Sequence, residues 1–483
     1  MSHIHFQPLF ATERMLLAVS LAAVIFWLAD RRWHLVTKFV AEKRTPLDLA
    51  VIRIVLMAWL MQTSVSQALV FAQLDPALVY PPTGWGRLAL MFPRNPHLIH
   101  GAYVVFLVSA VFALIGLWTR VSVPLAAAGA FYLMTIPQLF GKINHGHHLI
   151  LFAILLAFSP CGDALSVDAL LSRRKGAAIP VLERSKKYAA PLNAMIVLMG
   201  IIYFFPGVWK VARNGLHWFS SSNLQNIIGT KLLEDKPTAM QSWVLHQPAL
   251  LLLASIGTIV FEVGWIFFAV NKRTRPFLVV CGLAFHNMTG LLMNIFFTHL
   301  QICYVVLVDW GHVVCWLAPR FGRVVEKDGI APMPLASMVS LPFKAVAGVI
   351  IAAMVMAGML HAQAGWPIAC YPTFDTSDTA TLREVSLQAA ATNGEIYRQT
   401  LSFDPLLQQQ FAAPNWQGMV NLITLPGRPV SEQRVKAIVQ LWQAAYHRQG
   451  IYAAQVYVDT YDLSKDPSYP FSHKLLADLQ LDR

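Results

Sequence analysis

A series of long apolar stretches limits the folds that this chain can adopt. An α-helix rises 1.5 Å per residue, so about 20 consecutive apolar residues cross the hydrocarbon core of a bilayer. Stretches of about that length recur along the first three quarters of the 483 residues. The sequence therefore predicts ten membrane spans, at residues 15–30, 47–72, 97–118, 121–140, 147–162, 188–209, 249–270, 276–298, 300–318 and 342–363.

The composition agrees with a membrane protein. The chain is 56% hydrophobic and 13% charged, whereas a soluble globular chain is about 45–50% apolar and about 25% charged. The apolar stretches stop near residue 364, and the remainder has a mixed composition and is long enough for a small soluble domain. The predicted fold class is an all-α polytopic helical bundle of about ten spans with a small extracytoplasmic α+β domain at the C-terminus.

The C-terminal part carries the pattern of strands around a helix. The segments "VSLQAAATNGEIYRQTLSFD" and "QGIYAAQVYVDTYDL" have the alternation and composition of strands. Between them, "SEQRVKAIVQLWQAAYHR" places Val435, Ile438, Val439 and Trp442 on one side of a helix. We therefore divide the chain into an extra span with a basic loop (1–44), a membrane domain (45–363) and an outer domain (364–483).

The net charge of +12 reflects topology rather than nucleic-acid binding. The basic residues concentrate in alternate loops of the ten-span arrangement, which the positive-inside rule assigns to the cytoplasm. The N-terminus, the outer domain and the loops around 73–96, 141–147 and 210–248 then lie outside. The basic residues in question are Arg31, Arg32, Lys38, Lys43, Arg44, Arg173, Arg174, Lys175, Arg184, Lys186, Lys187, Lys272, Arg273, Arg275, Arg320, Arg323 and Lys327.

Ionisable residues within spans are costly in lipid and are therefore candidates for function. "KINHGHHLIL" opens the fifth span with an asparagine and three histidines, and the sixth span ends with a lysine. The seventh span contains a glutamate, and the eighth a histidine–asparagine pair. The candidates are Asn144, His145, His147, His148, Lys210, Glu262, His286 and Asn287.

Each candidate also has a plain structural interpretation. Lys210 could extend from a helix end to the lipid headgroups, and the histidines could be interfacial residues without a task. Glu262 could pair with a neighbouring helix. A metal site is disfavoured, because the HxHH spacing is not a helical i, i+4 pair and no carboxylate lies nearby. The five cysteines also lack metal-binding spacing. We predict no metal.

Proton abstraction in a dry pocket would use this set of residues. A lysine in low dielectric loses its preference for the charged form, and its neutral amine is a competent base. A histidine and an asparagine could stabilise the anion that forms. The aromatic surroundings of Lys210, with Tyr203, Phe205 and Trp209, suit an apolar substrate that enters from the bilayer.

Four blocks of the sequence carry a family resemblance. They are "TPLDLAVIRIVLMAWL" (45–60), "INHGHHLILFAILLAFSPCGDALSVDALL" (143–171), "YFFPGVWKVARNGLHWF" (203–219) and "FHNMTGLLMNIFF" (285–297). With these blocks the chain resembles the vitamin K-dependent γ-carboxylases and their bacterial relatives, the HTTM (horizontally transferred transmembrane) proteins. The resemblance runs from about residue 45 to 320 and is weaker in the outer domain.

The resemblance implies a γ-glutamyl carboxylase activity, a lyase reaction coupled to epoxidation of a quinol. In the family a lysine deprotonates reduced vitamin K, which reacts with oxygen to give a strong base. That base removes a γ-proton from glutamate, carbon dioxide adds, and the quinone leaves as its epoxide. The family's lysine falls on Lys210, its Asn-His pair on Asn144 and His145, and its membrane histidine on His286.

The resemblance also implies the ligands and the location. The cofactor would be reduced vitamin K or a menaquinone-type quinol, with carbon dioxide and oxygen as co-substrates. We expect Tyr203, Phe205, Trp209, Glu262 and Asn287 to contact it. The expected partners are membrane lipid, the quinone and a glutamate-containing peptide or protein, without nucleic acid. The expected location is the bacterial inner membrane, with the site and the C-terminal domain on the extracytoplasmic side.

Two departures from the family keep alternatives open. Trp209 precedes Lys210 where the eukaryotic proteins have two adjacent lysines, and the large β-rich region that captures a propeptide is missing. The alternatives are a quinone-linked membrane oxidoreductase without carboxylation and a non-catalytic membrane partner protein. Convergence of Lys210, His145 and His286 on one cavity would favour an enzyme, whereas dispersed side chains would favour the partner protein.

Overall fold

The computed structural model describes most of the chain. The described residues are 7–62, 67–82, 84–141, 143, 145–176, 181–232, 238–317, 339–363, 365–370, 381–424, 430–462 and 470–481.

Helices joined by turns and loops form most of the described part of the chain before residue 364. Short 3₁₀ helices lie at Pro76–Leu78, Gly84–Met91, Ile136–Leu139, Gly215–Phe219 and Tyr304–Leu307. The α-helices are α1 (Gln7–Trp33), α2 (Leu35–Val40), α3 (Pro46–Gln62), α4 (Gln67–Phe71), α5 (Pro96–Ile115), α6 (Thr119–Thr135), α7 (His147–Ala157), α8 (Val167–Arg174), α9 (Lys186–Asn214), α10 (Ser221–Leu232), α11 (Ala239–Leu245), α12 (Pro248–Val270), α13 (Arg275–Met293), α14 (Thr298–Cys303), α15 (Trp310–Leu317) and α16 (Leu341–Met359).

The long apolar helices confirm a polytopic membrane bundle. Among the described residues, eight helices are long and apolar enough to cross a bilayer, or nine if one bent pair is counted as a span. The predicted fifth span is only the 11-residue helix α7. The predicted ninth span is the bent pair, in which Thr298–Leu307 and Trp310–Leu317 meet at 71°. Hydropathy detects both segments but does not reveal that one is short and the other broken.

Charged side chains gather at one end of the bundle, which we call the basic end. Arg275 forms two hydrogen bonds to the carboxylate of Glu42, at 2.9 and 2.8 Å, and Arg44 forms a third at 2.8 Å. Burial favours the neutral form of Glu42, but Arg275 and Arg44 outweigh it and lower the pKa of that carboxyl. Asp309 pairs with Arg184 and Lys272 at the same end. Three of the basic loops are thus joined at one end.

The C-terminal domain packs on the opposite end, which we call the Lys210 end. It contains an antiparallel sheet of strand order β2-β1-β3-β4. The strands are β1 (Thr381–Ala391), β2 (Ile396–Thr400), β3 (Ile451–Asp462) and β4 (Ser472–Gln480), and the helices are α17 (Pro405–Phe411), α18 (Ala413–Asn421) and α19 (Glu432–Ala445).

The sequence predicts the core of this domain. Val435, Ile438, Val439 and Trp442 are buried on one side of α19, which confirms the amphipathic helix. The domain is also anchored to the membrane bundle: Arg434 donates to the carbonyls of Ala77 and Val79 at 3.1 and 3.2 Å. The strand β4 and the helices α17 and α18 were not expected from the sequence.

A buried arginine supports an irregular segment between α7 and α8. Arg53, in the second turn of α3, is fully buried. It donates to the carbonyl of Cys161 at 2.5 Å and to that of Leu165 at 2.6 Å. Backbone carbonyls without partners are costly in an apolar environment, so Arg53 allows the chain to leave the helix after the short α7.

The "SVDALL" motif has a structural task next to this segment. The Ser166 hydroxyl accepts from the Ala169 amide and caps α8. The Asp168 carboxylate accepts from the Trp118 and Thr119 amides at 2.9 and 2.8 Å and caps the start of α6. The motif therefore joins two helix N-termini by hydrogen bonds that a helix cannot supply itself.

We predict that Arg53→Met destabilises the bundle. The variant removes the donor to the carbonyls of Cys161 and Leu165. The Cys161 carbonyl is buried, and leaving it unpaired costs about 1–3 kcal/mol. The midpoint of thermal unfolding in detergent should fall by several degrees. Arg120→Met is the matched control, because Arg120 is exposed at the basic end of α6 and its loss should shift the midpoint little. Equal midpoints for the two variants would contradict this account.

Candidate functional site

A cavity lies between α9, α12, α13, α16 and the start of α7. The space between these elements is about 980 Å³, including the part that is open to the surroundings. The apolar wall includes Ile201, Ile202, Phe205, Phe285, Phe297 and Met354. The polar and titratable groups in the lining include His145, His147, Tyr203, Lys210, Glu262 and His286.

One face of α9 supplies the centre of this site. Ser185 caps the helix, which runs for 29 residues from the basic end to the Lys210 end and contains Pro191 and Pro206. The residues Gly200, Tyr203, Gly207 and Lys210 follow at intervals of three and four, so they lie on one side of the helix. That side faces α12 and the cavity.

Lys210 and Glu262 form a buried ion pair at the centre. The Lys210 Nζ lies 2.5 Å from Oε1 and 2.6 Å from Oε2 of Glu262. Lys210 is 3% exposed and Glu262 8% exposed. The ring of Trp218 lies 5.6 Å from the Nζ. Lys210 therefore does not extend to the headgroups but turns into the cavity, towards a carboxylate on α12.

Two glycines allow α12 to approach α9 closely enough for this pair. A Cβ at Gly207 would lie 2.9 Å from the Glu262 Cβ and 3.0 Å from the Val263 side chain. Seven residues earlier, about two helical turns, a Cβ at Gly200 would lie 2.7 Å from the Ile266 side chain. The pairing of Lys210 with Glu262 thus depends on the absence of side chains at these two positions of α9.

A second polar group lines the cavity on the α13 side. The Tyr203 hydroxyl lies 2.5 Å from Nε2 of His286 and 2.8 Å from the Tyr304 hydroxyl. Tyr203 also stacks on Trp265, with ring centroids 5.3 Å apart. These contacts fix the ring of His286. Its other nitrogen, Nδ1, is buried and has no hydrogen-bond partner among the residues that the structure describes.

The histidines that begin α7 lie at the same cavity. His145 is half-buried and His147 is buried, and both belong to the cavity lining. The ring of His148 packs edge-on against His147, with centroids 5.6 Å apart. Within the described part of the chain, no group of three or more His, Cys, Asp or Glu side chains is arranged to hold a metal ion.

Two expected site residues, Trp209 and Asn287, are not in the lining. Trp209 faces α16, donates to the Gly358 carbonyl at 2.8 Å and packs against the ring of His361 at a tilt of 36°. Asn287 is exposed and donates to the Leu283 carbonyl at 2.8 Å. Asn144 lies outside the described residues. The position of Trp209 shows that the residue before Lys210 anchors α16 in this chain.

The structure adds residues that sequence analysis missed. Trp218 faces the Lys210 ammonium, Tyr304 completes the hydrogen-bonded chain to His286, and Cys370 reaches the cavity from beyond α16. Trp218 lies in a quoted block, eight residues after Lys210, and Tyr304 is a polar residue in an apolar run. These two residues could have been selected from the sequence, whereas no pattern in the sequence indicates that Cys370 lines the cavity.

Comparison with known proteins identifies the membrane domain. A family model described as "HTTM domain" matches residues 42–310, which is more than half of the chain. The chain belongs to the HTTM family. HTTM domains are found in membrane proteins of the vitamin K-dependent carboxylase type. No curated protein and no solved structure matches the chain.

The HTTM domain contains most of the cavity. His145, Lys210, Glu262 and His286 all lie within the matched residues. The remaining wall, with Met354 and Gly358 of α16 and Cys370 beyond it, comes from residues after the match. In this HTTM protein the cavity is therefore completed by the last long helix and the start of the segment that leads to the C-terminal domain.

We predict that Gly207→Ala disturbs the site through packing. The added Cβ meets the Glu262 Cβ at 2.9 Å, and overpacking of this kind costs about 1–3 kcal/mol. The midpoint of thermal unfolding should therefore fall although alanine favours helix. Gly257→Ala is the control on α12, because a Cβ there meets nothing within 4 Å. The free energy of unfolding of Gly257→Ala should be unchanged or higher by up to about 1 kcal/mol. A Gly207→Ala protein with the wild-type midpoint would show that the close approach of α9 and α12 is unimportant.

Proposed function

We propose that this HTTM protein is a quinol-dependent, γ-carboxylase-like enzyme of the membrane. The observation that carries the proposal is the convergence of the Lys210–Glu262 pair, His145 and His286 on one cavity with apolar walls. A partner protein without catalytic activity would have no need for four ionisable side chains in one buried space, where each is costly.

The cavity is suited to a quinol. Its walls are aromatic and aliphatic, and its polar groups lie in separate places, around Lys210 and around His286. The buried Nδ1 of His286, which lacks a partner among the described residues, offers a hydrogen bond to a ligand oxygen. Reduced vitamin K or a menaquinone-type quinol would be the compound that reacts with oxygen. Carbon dioxide would supply the new carboxyl group.

The residues of the chain have distinct roles in the proposal. Lys210 removes the proton of a ligand hydroxyl at its Nζ. His145 and His286 orient the ligand through hydrogen bonds, and Tyr203 and Tyr304 hold the ring of His286 in place. The apolar walls exclude water, which strengthens each of these electrostatic interactions. Glutamate in a peptide or protein is the proposed acceptor.

A quinone-linked oxidoreductase without carboxylation is the second candidate. It is favoured by the described part of the C-terminal domain, a four-stranded sheet and three helices, because none of these elements lines the cavity where a glutamyl acceptor would have to bind. The two candidates share the cavity and the base and differ only in the use of carbon dioxide.

We also propose that the Lys210 end faces the outside of a bacterial inner membrane. Support comes from the basic loops, three of which meet at the other end. In a Cys315→Ser background, Ser472→Cys should react with a membrane-impermeant thiol reagent added to intact cells, whereas Ser172→Cys should react only after lysis. Both serines are exposed. The reverse labelling would invert the proposed orientation.

We predict that Lys210→Arg abolishes quinol turnover. Arginine keeps the positive charge but does not release its proton at physiological pH, and loss of general-base catalysis typically costs about 10²–10⁴-fold in rate. The measurement is quinol consumption by the purified protein, with folding checked by size-exclusion chromatography.

Lys187→Arg is the matched control for this experiment. Lys187 lies on the same helix at the basic end, where it pairs with Asp163 at 3.0 Å, and arginine can keep that pair. The control should turn over quinol at the wild-type rate. If Lys210→Arg also does so, Lys210 is not the base and the proposed function fails.

A further inference from the structure

Because of the ion pair with Glu262, Lys210 must release a proton before it can accept one from a ligand. The Lys210 ammonium donates two charge-assisted hydrogen bonds to the Glu262 carboxylate, with the Nζ at 2.5 and 2.6 Å from its oxygens. An ammonium has no free electron pair and cannot accept a proton until it has released one. For Lys210 to act as a base, another group must accept the proton that it releases. The Glu262 carboxylate is in direct contact with the Lys210 Nζ.

We infer that Glu262 is the final acceptor of the proton that Lys210 takes from the ligand. This inference rests on the proposed function. One N–H bond of Lys210 breaks as an O–H bond forms on Glu262, while the ligand O–H breaks and a new N–H forms on Lys210. The numbers of protons and charges balance without another reactant. Lys210 is an ammonium before and after the step, facing the oxygen that lost the proton.

The surroundings of Glu262 suit a carboxyl group that becomes neutral. It is almost completely buried, and burial favours the uncharged acid. Trp218 covers the other side of the ammonium. The Tyr203 hydroxyl is engaged with His286 and Tyr304, so the tyrosine does not compete for the carboxylate.

The close packing of α9 and α12 fixes the transfer path. The Glu262 Cβ lies where a side chain at position 207 would otherwise stand. The carboxylate is therefore held against the Nζ by the helix backbones rather than by a flexible contact. A short, fixed donor–acceptor distance is the geometry that proton transfer requires.

The first test compares two variants of Glu262. Glu262→Gln keeps the shape but cannot accept the proton, and Glu262→Ala opens space for a small carboxylate. Both should lower quinol consumption by about 10²–10⁴-fold. Added formate should restore a substantial part of the rate in Glu262→Ala and none in Lys210→Arg. Rescue by a free carboxylate would not occur if Glu262 only held the helices together.

Glu42→Gln is the matched control. It removes the carboxylate of another buried ion pair, with Arg275 at the basic end. Removing one partner of a buried pair destabilises a protein, so this variant controls for that effect. Its rate per amount of folded protein should equal that of the wild type, and formate should not change it.

The second test does not depend on turnover, and its main measurement is made on the wild-type protein. Difference infrared spectra are recorded on addition of quinol without oxygen. Transfer to Glu262 should produce the C=O stretch of a protonated carboxylic acid and remove carboxylate bands. Glu42→Gln should keep this signal.

The outcomes separate the inference from the proposed function. Full activity of Glu262→Gln with an inactive Lys210→Arg would show that the amine acts alone; the inference would fail and the proposed function would stand. Absence of formate rescue, or of the carboxylic-acid band in the wild type, would also overturn the inference. Wild-type activity of Lys210→Arg would overturn the proposed function itself.

Discussion

The buried pair of Lys210 and Glu262 is the interaction on which the cavity depends. Two charges inside a membrane bundle are expensive to desolvate, and only close contact with good geometry offsets that cost. The contact requires α9 and α12 to approach more closely than ordinary side chains allow, which Gly200 and Gly207 make possible. The same face of α9 carries Tyr203, which positions His286. One helix face thus carries both the close packing of α9 against α12 and the contacts that arrange the polar groups.

A second constraint is that backbone groups in an apolar environment need partners. Arg53 supplies donors to the segment after α7, and Asp168 supplies an acceptor to the start of α6. These residues belong to sequence blocks that resemble the carboxylase family, yet their task here is to support a short helix and its connection. Residues within a family motif can therefore serve the scaffold, while the cavity uses others a few positions away.

The sequence predicts the bundle and much of the site because both depend on the free energy of placing apolar and charged side chains in lipid. Apolar length predicts the long helices, and the cost of charge in lipid selects Lys210, Glu262 and His286. Side-chain direction is harder to predict. Trp209 and Asn287 are each adjacent to a cavity residue, but neighbours on a helix point about 100° apart, so both face elsewhere. The strand β4 was missed because "SHKLLADLQ" lacks clear alternation and gains its place by pairing with β3.

We propose that this cavity performs quinol-dependent carboxylation. The most direct measurement is mass spectrometry of the purified protein incubated with quinol, oxygen, labelled bicarbonate and glutamyl peptides. The account predicts labelled carboxyl groups on glutamate together with quinone epoxide. Quinol oxidation without label in the peptide would support the oxidoreductase instead. No quinol consumption above the level of Lys210→Arg, with any quinol tested, would contradict the account.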